Sequence, residues 1–215
     1  MSKAGERIAL PRPAAGRSVS VFAALQKRRT DRTITDRRLS LQMLSNLLWS
    51  ARGTNRGKGP FGVPGSTAAS ASNSQEIDVY VALQEGTYLY EPAAHCLTLV
   101  AKEDLRGLAI GRGQGKMGAS APVRLIYIAD IRKFSKAGFQ EPGLWDREVQ
   151  KSYFFVDTGL IAGNVYLFAA SQGLAAWFHN CDKEALAVKL GLGKDQRVLF
   201  GQTVGYREKS PPGRR

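Results

Sequence analysis

The chain is poor in the residues that staple small proteins or bind metals. Of its 215 residues, only Cys96, Cys181, His95 and His179 are cysteine or histidine. Two cysteines make no disulfide framework and read as reduced thiols of a cytoplasmic protein. With the two histidines they lack the spacing of a structural zinc site, so no metal is expected. The start, MSKAGERIALPRPAAGR, is charged and has no apolar run, which argues against a secretory signal. Acidic residues are outnumbered, 18 against 31 Lys and Arg, for a net charge of +13. One stretch, Thr158–Phe178, has no charge over its 21 residues. That length could span a bilayer, but Asn164, Ser171, Gln172 and three glycines are scattered through it. The stretch is expected to be a helix buried in a core or a subunit interface, with no membrane partner.

What is present is ordinary for a globular protein. Hydrophobic residues make up 43% and charged residues 23%. A chain of this length can bury roughly 70% of its unfolded surface without staples. The basic excess sits at the ends. Residues 1–60 hold 13 basic and 3 acidic residues, and 202–215 hold four and one. The stretch between them is balanced, 14 against 14. Such ends suggest a phosphate-bearing partner. A nucleic-acid surface would interleave aromatics with its basic residues, yet residues 1–60 contain only Phe22 and Trp49. No nucleic-acid partner is expected.

Patterning divides the chain into a flexible N-terminal arm, 1–17, and a single domain, 18–215. Ser18 or Ser20 can cap a helix to about Arg28, and Ser40 a second, LQMLSNLLWSAR, stopped by Gly53. Residues 53–76 are Gly- and Ser-rich and read as a loop. Ile77–Leu83 reads as a strand, and Thr87–Tyr90 with Cys96–Val100 as a hairpin turning near Glu91-Pro92. KEDLRGLAI reads as a short helix, Val123–Asp130 as a strand and Leu144–Phe178 as a long helical region. Asp182 caps a further helix, and Arg197–Val204 is the last strand. Helices and strands joined by a central hairpin favour an α+β fold over a doubly wound parallel sheet.

Several motifs fail on context. Gly113–Gly118 matches GxGxxG, but a helix would precede it and a strand follow it, the reverse of a dinucleotide fingerprint. Gly115-Lys116 lacks the rest of a P-loop, since Ile110 and Met117 stand where Gly and Ser or Thr belong. No nucleophile elbow is present to support Ser-His-Asp chemistry. Two segments survive. Lys27-Arg28-Arg29-Thr30-Asp31-Arg32 follows a helix, and clustered guanidinium groups with a hydroxyl can grip a phosphate or planar anion. In Ser70-Ala71-Ser72-Asn73-Ser74-Gln75 the small residues admit a flat ligand close to the backbone, and the amides can read a ring edge.

In this order, Arg28–Arg32 and Ala69–Gln75 resemble the R-R-S/T-x-R and P-S-A/S-x-N-x-Q elements of the FMN-dependent nitroreductase family. GTYLYEPAAHCLTLVAKEDLR is similar to a hairpin stretch of the subgroup with azoline-oxidising, SagB-type dehydrogenases. DTGLIAGNVYLFAASQGLAAWF resembles the family's central helix, and GQTVGYREKSPPGRR its closing strand and basic tail. The sequence departs at Ala69, Gly163 and Arg207, where the family has Pro, Gln and Pro.

The resemblance implies a mostly antiparallel central sheet flanked by helices, in an intertwined homodimer with two FMN sites at its interface. Arg28, Arg29 and Thr30 would hold the phosphate and ribityl chain, and Arg32 the pyrimidine edge or phosphate. Ser70, Ser72, Asn73 and Gln75 would line the isoalloxazine ring, partly from the second subunit. Phe178, His179 and Asn180 would lie beside the reactive N5. Gln114 would stand at the ring edge, and Arg207 or Arg214 would add a phosphate contact from the tail. His179 would contribute its backbone rather than acid–base chemistry. The implied function is hydride transfer from NADH or NADPH to a flat acceptor such as a nitroaromatic or quinone. The alternatives are an FMN dehydrogenase of a peptide heterocycle, a flavin store or sensor, and last a basic nucleic-acid-binding protein.

Overall fold

The computed structural model describes residues 6–14, 19–59, 62–111, 113 and 121–208. Among the described residues, four α-helices and nine strands follow one another. They are β1 (Arg7–Ala9), α1 (Val21–Lys27), α2 (Leu41–Arg52), β2 (Thr54–Arg56), β3 (Gly65–Ser66), β4 (Ile77–Leu83), β5 (Gly86–Glu91), β6 (Cys96–Ala101), β7 (Val123–Asp130), α3 (Arg147–Gln172), β8 (Leu174–His179), α4 (Lys183–Lys189) and β9 (Gln196–Tyr206). The capping signals act as read. Ser20 and Ser40 accept hydrogen bonds from Ala23 N and Met43 N at 3.2 Å each. Asp146 caps α3 through Glu148 N and Val149 N, and Asp182 caps α4 through Ala185 N.

Seven strands form one sheet in the order β1-β6-β5-β4-β7-β9-β8. Every pairing in it is antiparallel, as the α+β expectation required. Alternation along the central strands divides the core. Ile77, Val79, Val81, Leu125 and Tyr127 face α2 and α3, where Leu47, Leu48, Ile161 and Val165 meet them. Tyr80, Ala82, Ile126 and Ile128 face the other way, against Leu105, Ala109, Cys181 and Leu186. Both faces of β7 are therefore buried, and all eight of its residues lie inside.

Four local expectations change. The segment expected to be a free arm is tied down in part: Arg7–Ala9 pair with Thr98–Cys96, and Leu10 is buried. The long helix does not continue to Phe178. Gly173 adopts φ +72° at the end of α3, a left-handed stop, and Leu174–His179 turn back as the edge strand β8. KEDLRGLAI makes one turn, closed by Leu108 N and Ala109 N on Leu105 O, and no helix. Within 53–76, β2 and β3 pair as a small hairpin and Ala71–Asn73 form a 3-10 turn.

Candidate flavin site

The first surviving segment leaves α1 and runs along the outer edge of β8. Asp31 N donates to Ala176 O at 2.9 Å, so this segment covers an otherwise open strand edge. Arg28 lies over the Tyr166 ring, 5.5 Å from its centroid, and Arg32 over Trp177 at 5.2 Å. Thr30 Oγ1 and Tyr166 OH are 3.1 Å apart. The same Tyr166 oxygen accepts from Phe178 N at 2.9 Å. Asp31 takes Arg207 Nε at 2.6 Å and has Arg29 Nε at 3.8 Å. Asp31 thus pairs with both Arg207 and Arg29, while Arg28 and Arg32 have no carboxylate within 4 Å among the described residues. Two uncompensated guanidinium groups beside a threonine hydroxyl form a donor set suited to a phosphate.

The second segment forms a separate loop before β4. Ser72, Asn73 and Gln75 all have positive φ, +49°, +54° and +51°. Three such non-glycine residues in four positions store backbone strain, which persists only where the surroundings fix it. Gln75 N donates to Ser70 Oγ at 3.0 Å, and Gln75 Nε2 to Pro64 O and Asn73 Oδ1. Asn73 Nδ2 also reaches Pro64 O, and Ser72 Oγ donates to Glu141 Oε1 at 3.2 Å. Ala71 N donates to Asp157 Oδ2 at 2.9 Å, and the Arg52 guanidinium to Gln75 O. Above the loop lies an apolar cleft of about 460 Å³, bordered by Ala68, Ala69, Ser72, Phe139 and Arg56.

Phe178, His179 and Asn180 separate by face. Phe178 points toward α3, with Tyr127 and Phe200 rings 6.1 and 4.9 Å away. The His179 imidazole lies on the opposite face, with Nε2 2.7 Å from Thr203 Oγ1 and Nδ1 2.9 Å from Asn180 O. Burial lowers its pKa to about 4, so the ring is neutral at pH 7. Gly201 makes room for it, since a Cβ there would stand 2.8 Å from His179 Cε1 and 2.4 Å from Ala109 O. The exposed Asn180 uses Oδ1 to accept from Cys181 N. Gln114 and Arg214 lie outside the described residues.

Residues the sequence did not single out complete both clusters. Tyr166 links Thr30 to Phe178, and Asp157, Glu76 and Arg52 form the floor of the Ser70–Gln75 loop. A lone Asp at the head of an uncharged stretch was the one available signal for Asp157. In the dehydrogenase-like hairpin, His95 contacts Tyr90 OH at 2.9 Å and Ser45 Oγ at 2.7 Å.

The profile of the Nitroreductase family matches residues 25–206. A protein of Methanocaldococcus jannaschii assigned as a nitroreductase is 29% identical over 177 residues, covering 77% of this chain and 83% of its own. A crystal structure from Ralstonia eutropha, also assigned as a nitroreductase, superposes with TM-score 0.81 at 29% identity. It covers 98% of this chain and 93% of that one. A chain of the Escherichia coli microcin synthetase McbBCD complex, with truncated pro-MccB17 bound, shares the fold at TM-score 0.68 and 17% identity. That match covers 93% of this chain and 77% of the other.

Proposed function

Because the chain belongs to the nitroreductase family, whose members are flavin-dependent oxidoreductases, we propose that it binds FMN and passes hydride from NADH or NADPH to a flat aromatic acceptor. The observation that carries this reading is the pair of uncompensated arginines, Arg28 and Arg32, on a segment bonded through Thr30 and Tyr166 to the β8 backbone. FMN, when bound, supplies the redox centre. Arg28, with Arg29, Thr30 and Arg207 around it, anchors the phosphate. Arg32 sets a positive charge near the pyrimidine edge, where it stabilises an anionic reduced ring. Ser70, Ser72, Asn73 and Gln75 line that ring. At β8 the contribution is main-chain, because the His179 imidazole is buried, neutral and turned to the other face. Gln114 at the ring edge and Arg214 in the tail complete the proposed set.

The position of the two clusters on α3 supports a homodimer. Asp157, under the loop, and Tyr166, under the arginines, are nine residues apart, roughly 14 Å and about two and a half turns along a helix, which sets them on opposite faces. On either side of Asp157, α3 exposes Phe155, Val156 and Leu160 at 41, 60 and 45%. On α1, Val21, Phe22 and Leu25 are exposed as well. A second copy across this apolar face would bring one chain's loop to the other chain's arginines and cover both stripes. In the same reading the protein is cytoplasmic.

The test is an absorbance spectrum of the desalted protein after FMN addition, followed by anaerobic NADH or NADPH. Flavin bands that elute with a dimer and bleach are the expected result. Bands that stay oxidised would replace the reductase reading with a store, or with a dehydrogenase reduced by its own substrate. Absence of flavin would refute the reading altogether.

A further inference from the structure

Beneath the Ser70–Gln75 loop lies a group of buried charges with one carboxylate too many. Glu76 is fully buried and Asp157 is 4% exposed. Glu76 Oε2 accepts from Ser74 Oγ at 2.6 Å, but Oε1 finds no N–H or O–H donor among the described residues. Asp157 Oδ2 accepts from Ala71 N, and Asp157, Glu76 and Arg52 line one small cavity under the loop. Arg52 of α2, buried at 6% exposure, acts on Glu76 and on Asp78 of β4. Lys133, in the 3-10 turn Ile131–Lys136, pairs with Asp78 at 2.6 Å and reaches Gln75 O at 3.4 Å. Tyr90 of β5 also faces Arg52, and Tyr153 of α3 faces Asp157 while donating to Glu141. Three carboxylates thus meet two cations. One proton balances the group and supplies the donor that Glu76 Oε1 lacks.

We propose that Asp157 and Glu76 share a single proton and act as a positioning pair, holding the strained Ser70–Gln75 loop in the shape that receives the flavin ring. The direction of titration agrees: burial first, and then the Glu76 charge, push Asp157 up to about 7. The mechanical link is short. Asp157 holds Ala71 N, Glu76 holds Ser74 Oγ and Arg52 holds Gln75 O, so all three buried groups fasten one turn of chain. Loss of the proton leaves two facing carboxylates in a low-dielectric site and loosens that turn. The consequence for flavin rests on the function proposed above, whereas the shared proton does not.

The experiment therefore has a flavin-free arm. Asp157→Asn keeps an acceptor for Ala71 N and a donor for Glu76 but cannot ionise. A carboxyl with a raised pKa in the folded state stabilises the fold at low pH, and that advantage fades as pH rises from about 4 to about 7. His179 and His95 are shifted down, and their effect runs in the opposite direction over an overlapping range. The readout is consequently the difference between wild type and Asp157→Asn, in which the histidines cancel. From about pH 5 to about pH 7, the ratio of the two folding constants moves about fiftyfold in favour of the variant. A difference infrared spectrum of the wild-type chain across that range should lose one protonated-carboxyl band, which needs no variant. In the FMN arm, fluorescence titration should show wild-type affinity falling about tenfold from about pH 6 to about pH 8.5, with the variant unchanged. A flat stability difference without an infrared change would overturn the shared proton. A proton that appears in both measurements while flavin affinity ignores pH would overturn the positioning role. Failure to bind FMN at any pH would sink the flavin reading and leave the first arm to decide the proton.

Discussion

Tyr166→Phe removes one oxygen atom and little else. In the folded chain that oxygen accepts from Phe178 N at 2.9 Å and contacts Thr30 Oγ1 at 3.1 Å. The ring stays, so Arg28 keeps an aromatic face 5.5 Å below it. Thr30 is exposed, and its hydroxyl turns to water with little net change. Phe178 N is different. It belongs to a half-buried residue on an edge strand, and no water-facing replacement comes for free. An orphaned amide of this kind costs about 1–2 kcal/mol. For a chain of this size each kcal/mol is worth about 2–4 °C, so the melting temperature should fall by about 2–8 °C. The assay is thermal unfolding of flavin-free protein at fixed concentration, with Thr30→Val as the control that removes the other partner only. The control should lie within about 0.5 kcal/mol of wild type. FMN affinity should drop about tenfold in Tyr166→Phe, because the arginine segment keeps only its Asp31–Ala176 backbone tie to β8. If Tyr166→Phe melts with wild type, or Thr30→Val falls as far, the tyrosine is not the link between segment and strand.

Three further outcomes can be checked with single variants or reagents. Arg28→Ala should elute from gel filtration without flavin yet unfold at the wild-type temperature, since Arg28 is exposed and carries no ion pair; retained FMN would remove it from the phosphate site. Gly201→Ala should lose on the order of 2–3 kcal/mol, measured by urea unfolding, because its Cβ would meet the Ala109 carbonyl and the His179 ring at 2.4 and 2.8 Å. Cys181, whose thiol is pushed up to about 11 by burial, should resist alkylation at neutral pH until the chain is unfolded; fast labelling of the folded protein would contradict its placement.

The elements that announced themselves carried their signals locally. Ser20, Ser40 and Asp182 sit where capping chemistry puts them, and the 87–100 hairpin shows its alternation and turn. The end of α3 was hidden because uncharged residues continue through it; only Gly173 marks the reversal into β8. β1 was hidden by its brevity, for Arg7–Ala9 gain strand character from β6, almost ninety positions away. The same division applies to the site. Arg28–Arg32 and Ser70–Gln75 were legible as chemistry, but Tyr166, Asp157, Glu76 and Arg52 acquire roles only through tertiary contacts. The helix expected to be buried in a core or a subunit interface also needed the structure: α3 has one buried stripe and one apolar stripe that faces outward.

The arginine segment is fastened to the far end of the chain. Asp31 holds Arg207, Ile34 bridges to Arg207, Thr35 N donates to Tyr206 O and Glu208 N to Thr33 O. During synthesis the segment leaves the ribosome about 170 residues before its partners at Tyr206–Glu208 do. Until then the segment has no strand to rest on, because β8 itself awaits β9. An unfinished or C-terminally clipped chain therefore cannot present the gathered arginines. In the function proposed above, capture of an anion would then report that synthesis has passed β9.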